Sequence, residues 1–374
     1  MNPNAVVSTV IRIEPPLDRP AEEMLRAEGG LSVELEEGRR VRLDPDEPRS
    51  AGFAKVLDGL SKQRMPVYVE VDPETSAITR LHIPHVTRVV AIRPIDEGVL
   101  GVELERSHAR HVLRRSAPDF EDLERQLQEA LRTGAPVILT ENDAHEVVDV
   151  RRYPAGPEGP PLPFPKGPEL PPQVPLRRLR DKLLLLWRWR WWPCWWFRCL
   201  SATKAQQVFD AMNATSCDPL TVPPPCIPFL YPDDGCWARA HEMCRLMIDM
   251  GLKPRKVWIQ GNLYVNTKNN PNCHVWWGWH VAPMLCVRGP GRFQTQEMVI
   301  DPSLFITPVS KATWKSLQGD PNSTLTDTDA SIYYLWGSVT DPSYTETAYY
   351  LANYRLQLQN RAIQHGPPPY ANCP

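Results

Sequence analysis

The first 193 residues of this 374-residue chain contain no cysteine; all nine lie between Cys194 and Cys373. Nine is odd, so at least one thiol stays free or pairs between chains, while the other eight have partners available for disulfides. No CxxC pair and no Cys/His spacing resembles a zinc site, so neither metal nor cofactor is expected. Neither folded half has an excess of positive charge. Residues 1–153 carry 21 basic and 28 acidic side chains, and residues 201–374 carry 13 of each. A nucleic-acid partner, which usually meets a basic folded domain, is therefore not expected. The start, MNPNAVVSTVIRIEPP, lacks a basic stretch followed by an apolar one. Without an export signal the default compartment is the cytoplasm with reduced thiols. An oxidised C-terminal half, exported by a non-classical route, is the alternative.

What is abundant is proline: 41 residues, or about 11% against an ordinary ~5%. Ten of them fall within residues 154–175, a composition that favours an extended linker over a packed core. The next stretch, 176–200, holds six of the thirteen tryptophans. Arg188, Arg190, Pro193 and Arg198 interrupt its apolar run, which argues against a membrane span. Three readings of this segment stand: rings packed as a wall of the following domain, which is preferred, membrane-interface contact through residues 183–199, or docking of a partner.

Residues 1–153 read as a strand-rich α+β domain of unknown role. Short β-branched runs recur at 6–13, 31–35, 66–71, 86–92, 99–105 and 136–139. One helix is expected after Ser116, with Phe120, Leu123, Leu127 and Leu131 on one stripe and Gly134 as its stop. His82, His85, His108 and His111 are expected at the surface rather than around a metal. No chemistry is assigned to this domain.

Residues 201–374 form the second folded domain, where a helical pattern starts at Cys236 after Tyr231-Pro-Asp-Asp-Gly and runs to Gly251. A helix start stabilises a thiolate and a developing oxyanion, Gly235 permits a tight entry, and Asp233 or Asp234 is the expected cap. Cys236 is therefore a candidate nucleophile. His241, five residues along the same helix, faces elsewhere. Of His274 and His280, six residues apart on a Trp-rich strand, only one reaches Cys236, and His280, held mid-strand, is the better base. Glu297–Asp301 reads as the antiparallel partner of that strand, so Asp301 would accept from the imidazole and fix its tautomer. Trp237, Trp276, Trp277 and Trp279 would wall a substrate cleft or, equally, pack a core.

The segments YPDDGCWARAHEM, WWGWHVAP and VIDPSLF resemble the bacterial protein glutaminase family over roughly residues 205–345. The resemblance implies a papain/transglutaminase-like α+β cysteine hydrolase domain. It also implies deamidation of glutamine side chains in intact protein substrates by a Cys-His-Asp triad, falling here on Cys236, His280 and Asp301. A transglutaminase, a papain-like peptidase, and an inactive binding module or targeting effector are the alternatives. Family members carry an export signal and an inhibitory propeptide. This N-terminal domain does not resemble that propeptide, so no inhibitory role is expected of it.

Overall fold

The computed structural model describes residues 2–153, 199–222, 225–291 and 293–374. The proline linker and nearly all of the Trp/Arg segment, with the readings attached to them, lie outside the described residues.

The N-terminal part contains two units of antiparallel strands, the first with two helices and the second with one. In the first, strands β1 (Ala5–Glu14), β2 (Leu31–Leu35), β3 (Arg40–Leu43), β4 (Pro66–Val71) and β5 (Ile78–His82) form one sheet in the order β3-β2-β1-β4-β5. Helices α1 (Ala21–Glu28) and α2 (Ser50–Gln63) accompany it, and Phe53, Val56, Leu57 and Leu60 of α2 are buried in the core. In the second, β6 (His85–Thr87) joins β10 (Val137–Glu141) and β11 (Val147–Arg152), beside a three-stranded sheet of β7 (Val89–Asp96), β8 (Val99–Leu104) and β9 (His111–Arg114). Its helix α3 (Phe120–Thr133) is the expected one, with Leu123 and Leu127 buried and Gly134 at φ 66° closing it. Buried and open positions alternate along β2, whereas β4 and β10 are buried almost continuously, on both faces.

The C-terminal part opens with α4 (Ala202–Asn213) and α5 (Cys236–Asp249). A five-stranded antiparallel sheet follows, built from β12 (Arg255–Asn266), β13 (His274–Arg288), β14 (Thr295–Val299), β15 (Val309–Ser310) and β16 (Thr324–Asp329), in the order β15-β14-β13-β12-β16. Helix α5 packs on one face, with Trp237, Trp258, Trp279 and Val281 in the shared core. On the other face lie Trp277, Met284 and Trp314, the last from α6 (Lys311–Leu317). A small hairpin, β17 (Ile332–Tyr334) with β18 (Val339–Thr340), precedes the 21-residue α7 (Thr345–His365).

The two parts meet along α7. Leu356 enters the N-terminal core, while Tyr350 and Tyr354 belong to the core around α5. Gly52 and Gly59 of α2 make this approach possible, because a Cβ at either would stand 2.6 Å from Ile363 or Leu356 side-chain carbons. Three disulfides brace the C-terminal part: Cys199–Cys286, Cys217–Cys226 and Cys273–Cys373. The default of reduced thiols thus fails for these six cysteines; Cys236 and Cys244 are free. Among the described residues no helix is long and apolar enough to cross a membrane.

Candidate active site

Gly235, at φ 80°, turns the chain into α5, so Cys236 is the first helical residue. The position demands glycine twice over: its φ is left-handed, and a Cβ there would lie 2.3 Å from the Tyr354 ring. No side chain caps this helix. The expected caps are engaged elsewhere: Asp233 is ion-paired to Arg361 at 2.5 Å, and Asp234 receives the Gly235 N–H at 2.9 Å and faces the N-terminal part. The unpaired N–H groups of the first turn are therefore left for other acceptors.

His280 owes its placement to an irregularity in the sheet. Between the pairs Gln260–Trp279 and Leu263–Trp277, β12 has one residue more than β13. The alternation along β13 therefore changes phase at Gly278. Trp277 and His280, three apart and opposed in a regular strand, share one face and stack at 4.6 Å between centroids. Trp314 stacks on His280 at 5.5 Å. Held between two indoles, the imidazole meets Asp301 Oδ2 through Nε2 at 2.9 Å, and Trp314 Nε1–H donates to the same oxygen at 2.9 Å. Burial pushes the Asp301 carboxyl up, but the facing His280 and the indole donor outweigh it and hold it below its usual range. His280 Nδ1 is buried and has no partner. A ring nitrogen of His280 and the Cys236 sulfur lie within 4.8 Å of each other. The structure thus brings Cys236, His280 and Asp301 together. It does not bring His241, which pairs with Lys256 at 2.8 Å, or His274, which stacks on Tyr264.

Of the four tryptophans, Trp276 and Trp279 line a cavity of about 830 Å³ shared with Gln260, Tyr334 and Trp336. Trp237 and Trp277 are fully buried around the triad residues, their indole N–H groups on Tyr333 Oη and the Asp233 carbonyl.

Sequence reasoning missed the residue nearest the thiol. His108 Nδ1 lies 3.2 Å from Cys236 Sγ and 3.0 Å from Asp234 Oδ1. The segment carrying it meets β13 through a single antiparallel bridge, Ala109 with Trp277: Gly278 N–H donates to the His108 carbonyl at 2.9 Å, and Arg110 N–H donates to the Trp276 carbonyl at 3.0 Å. Both His108 and His111, expected at the surface, are 1% exposed, because Asp234 and Glu141 supply the partners that burial requires. Burial lowers the His108 pKa to about 4, against the pull of Asp234, so the ring is neutral. Burial likewise pushes the Cys236 thiol well above its ordinary range. Cys236 is 1% exposed beneath this segment, so no substrate reaches the sulfur until it moves. The N-terminal domain is therefore not a bystander to the site, contrary to the expectation from sequence.

Residues 205–318 match the family described as glutaminase. No curated protein matches the chain. Similar solved structures include a crystal structure of pro-protein-glutaminase, 22% identical over 70% of this chain and 89% of that one, with a TM-score of 0.45. A crystal structure of protein-glutaminase is 29% identical over 39% and 82%, with a TM-score of 0.34. The NMR structure of protein-glutaminase from Chryseobacterium proteolyticum is 27% identical over 44% and 86%, with a TM-score of 0.35. All three scores fall below 0.5, and the assignment rests on the match at 205–318. That segment, which carries Cys236, His280 and Asp301, is the part of the chain similar to the glutaminase family.

Proposed function

We propose that the chain is a protein-glutamine deamidase, hydrolysing the side-chain amide of glutamine in protein substrates to glutamate and ammonia. The observation that carries this reading is the His280 ring: Nε2 is fixed on Asp301, while unpartnered Nδ1 is left for a thiol at the start of α5. Cys236 would give its proton to His280 and its sulfur would attack the carboxamide carbon. The imidazolium then protonates the departing nitrogen, releasing ammonia and leaving a thioester. Water, losing a proton to His280, cleaves the thioester, and the carboxylate leaves as the thiol is restored. The Cys236 backbone N–H at the helix start would face the developing oxyanion. A nucleophile opening a helix that packs on an antiparallel sheet bearing the base supports the papain/transglutaminase-like order of elements. Three disulfides support function in an oxidising compartment.

The test is ammonia release from a glutamine-rich protein, with intact mass measured alongside, after a protease cut within 154–198 and dilution of the nicked protein until its N-terminal part dissociates. Deamidation adds about one dalton per event without chain cleavage, the difference between an amide and an acid, and Cys236→Ala abolishes it. Substrate cleavage, or amine incorporation in place of the acid, would overturn the reading.

A further inference from the structure

Three imidazoles converge on one buried carboxylate in the N-terminal part. Glu141, at the end of β10, meets His111 Nδ1 at 2.5 Å, His145 Nδ1 at 2.9 Å and His85 Nε2 at 3.0 Å. The ligand atoms of His111, Glu141 and His145 all lie within 4.8 Å of one another.

Proton counting shows what this arrangement lacks. Asp234 already accepts the backbone N–H groups of His108 and Gly235, and it takes the single hydroxyl proton of Ser107 at 2.7 Å. Ser107 Oγ must then accept from His111 Nε2, 2.9 Å away, so that nitrogen carries the hydrogen. In a neutral ring His111 Nδ1 is therefore a lone pair, aimed at a Glu141 oxygen that is also a lone-pair donor. His145 Nε2, 3.4 Å from Asp233 Oδ1, makes no hydrogen bond, so the Nδ1–H of a neutral ring can donate to Glu141 at 2.9 Å. The opposed lone pairs of His111 and Glu141 in a buried cluster call for positive charge between them, and the convergence of His111, Glu141 and His145 ligand atoms within 4.8 Å suits one divalent cation.

We propose that His111 Nδ1, His145 Nδ1 and Glu141 form a site for one divalent transition-metal ion of the zinc class, with His85 hydrogen-bonded to the Glu141 ligand. The donor set of imidazoles and carboxylate suits such ions. The outer contact of His111 is also of the kind that orients a metal-bound histidine, its far nitrogen donating to the Ser107 hydroxyl, itself backed by Asp234. Metal–ligand bonds of about 2.0–2.2 Å place neighbouring ligand atoms roughly 3.2–3.5 Å apart, so the Glu141 contacts widen by about an ångström or less while separations of up to 4.8 Å close. Because Asp233 and Asp234 lead directly into Gly235 and Cys236, the ion would tie the segment lying over the thiol to the loop that carries it.

The experiment uses the full chain, stripped with a chelator and reloaded with zinc or cobalt. Zinc measured by mass spectrometry after gel filtration is expected at about one per chain, with Glu141→Gln and His145→Asn each weakening binding by more than tenfold and Cys236→Ser leaving it unchanged. Cobalt is expected to give visible bands of a nitrogen/oxygen site without a thiolate charge-transfer band. A thiolate band would move the metal to the other convergent cluster, His108, Cys236 and His280, and overturn the proposal. So would a folded chain, checked by circular dichroism, that retains no zinc, or a Glu141→Gln chain that binds it as the wild type does.

Discussion

His108 Nδ1 lies 3.2 Å from Cys236 Sγ although 128 residues separate them. Burial disfavours charge on both, so this is a neutral imidazole against a neutral thiol rather than the ion pair of a working cysteine hydrolase.

The first prediction follows from that contact. In the intact chain, iodoacetamide labels Cys236 slowly, because the sulfur is covered and its thiolate is scarce. His108→Gly removes the ring over the sulfur and admits water. Labelling is expected to accelerate by about tenfold for each pKa unit by which the thiol falls, as long as thiolate remains the minor form. Equal rates in the two proteins would show that His108 does not control access.

A second prediction separates the two donors on Asp301. Asp301→Asn leaves His280 with the wrong partner and is expected to cut turnover by about 10⁴-fold. Trp314→Phe keeps the stacking ring but deletes one hydrogen bond to a charged group. A loss of about 1.5–3 kcal/mol from such a bond corresponds to roughly 10- to 150-fold in rate. Ammonia-release kinetics on cleaved protein measure both.

The third concerns pH and stability. Lys256 is buried, donating to His241 Nδ1 at 2.8 Å and to the Ile332 carbonyl at 2.6 Å, and burial lowers its pKa from 10.5 to about 8. The unfolded chain therefore binds more protons than the folded one between these values. Unfolding free energy from this group rises with pH across the window, by at most about 1.4 kcal/mol per unit, and is lost again as pH falls through 8. Urea titrations between pH 7.5 and 10 are expected to show this rise in the wild type relative to Lys256→Met. Parallel curves would contradict it.

The Cys273–Cys373 bridge closes 100 residues and pins the C-terminus beside Asn270, whose side chain holds Asp233. Replacing both cysteines by serine is expected to cost about 2–5 kcal/mol in denaturant unfolding under oxidising conditions, measured against the wild type with its bridges intact.

The local signals in the catalytic half were strong enough to read. A glycine before a helical pattern located Cys236, and the loop at 288–292 implied the strand pairing that carries Asp301 towards His280. The helix start, though, came out right with the wrong cap, since a carboxylate beside a helix is also free to turn to a distant imidazole. Helix α2 was illegible because Gly52 and Gly59 weaken helix propensity. Their reason for being there, close approach to α7, is a contact more than 290 residues away. His108 and Trp314 escaped for the same reason. Nothing within a few residues of either hints at its partner, and an isolated histidine in an Arg-rich stretch looks like a solvated one.

Helix α7 runs as a shared rod through both halves, with Leu356 in one core, Tyr354 in the other, and Arg361 bridging Asp143 to Asp233. Cutting the chain within 154–198 removes none of these contacts. It turns a tethered, concentration-independent closure into an association between two molecules, so a nicked sample stays masked when concentrated and becomes active on dilution. Specific activity after proteolysis would then depend on protein concentration, and a second cut inside the covering half would be needed to make activation irreversible.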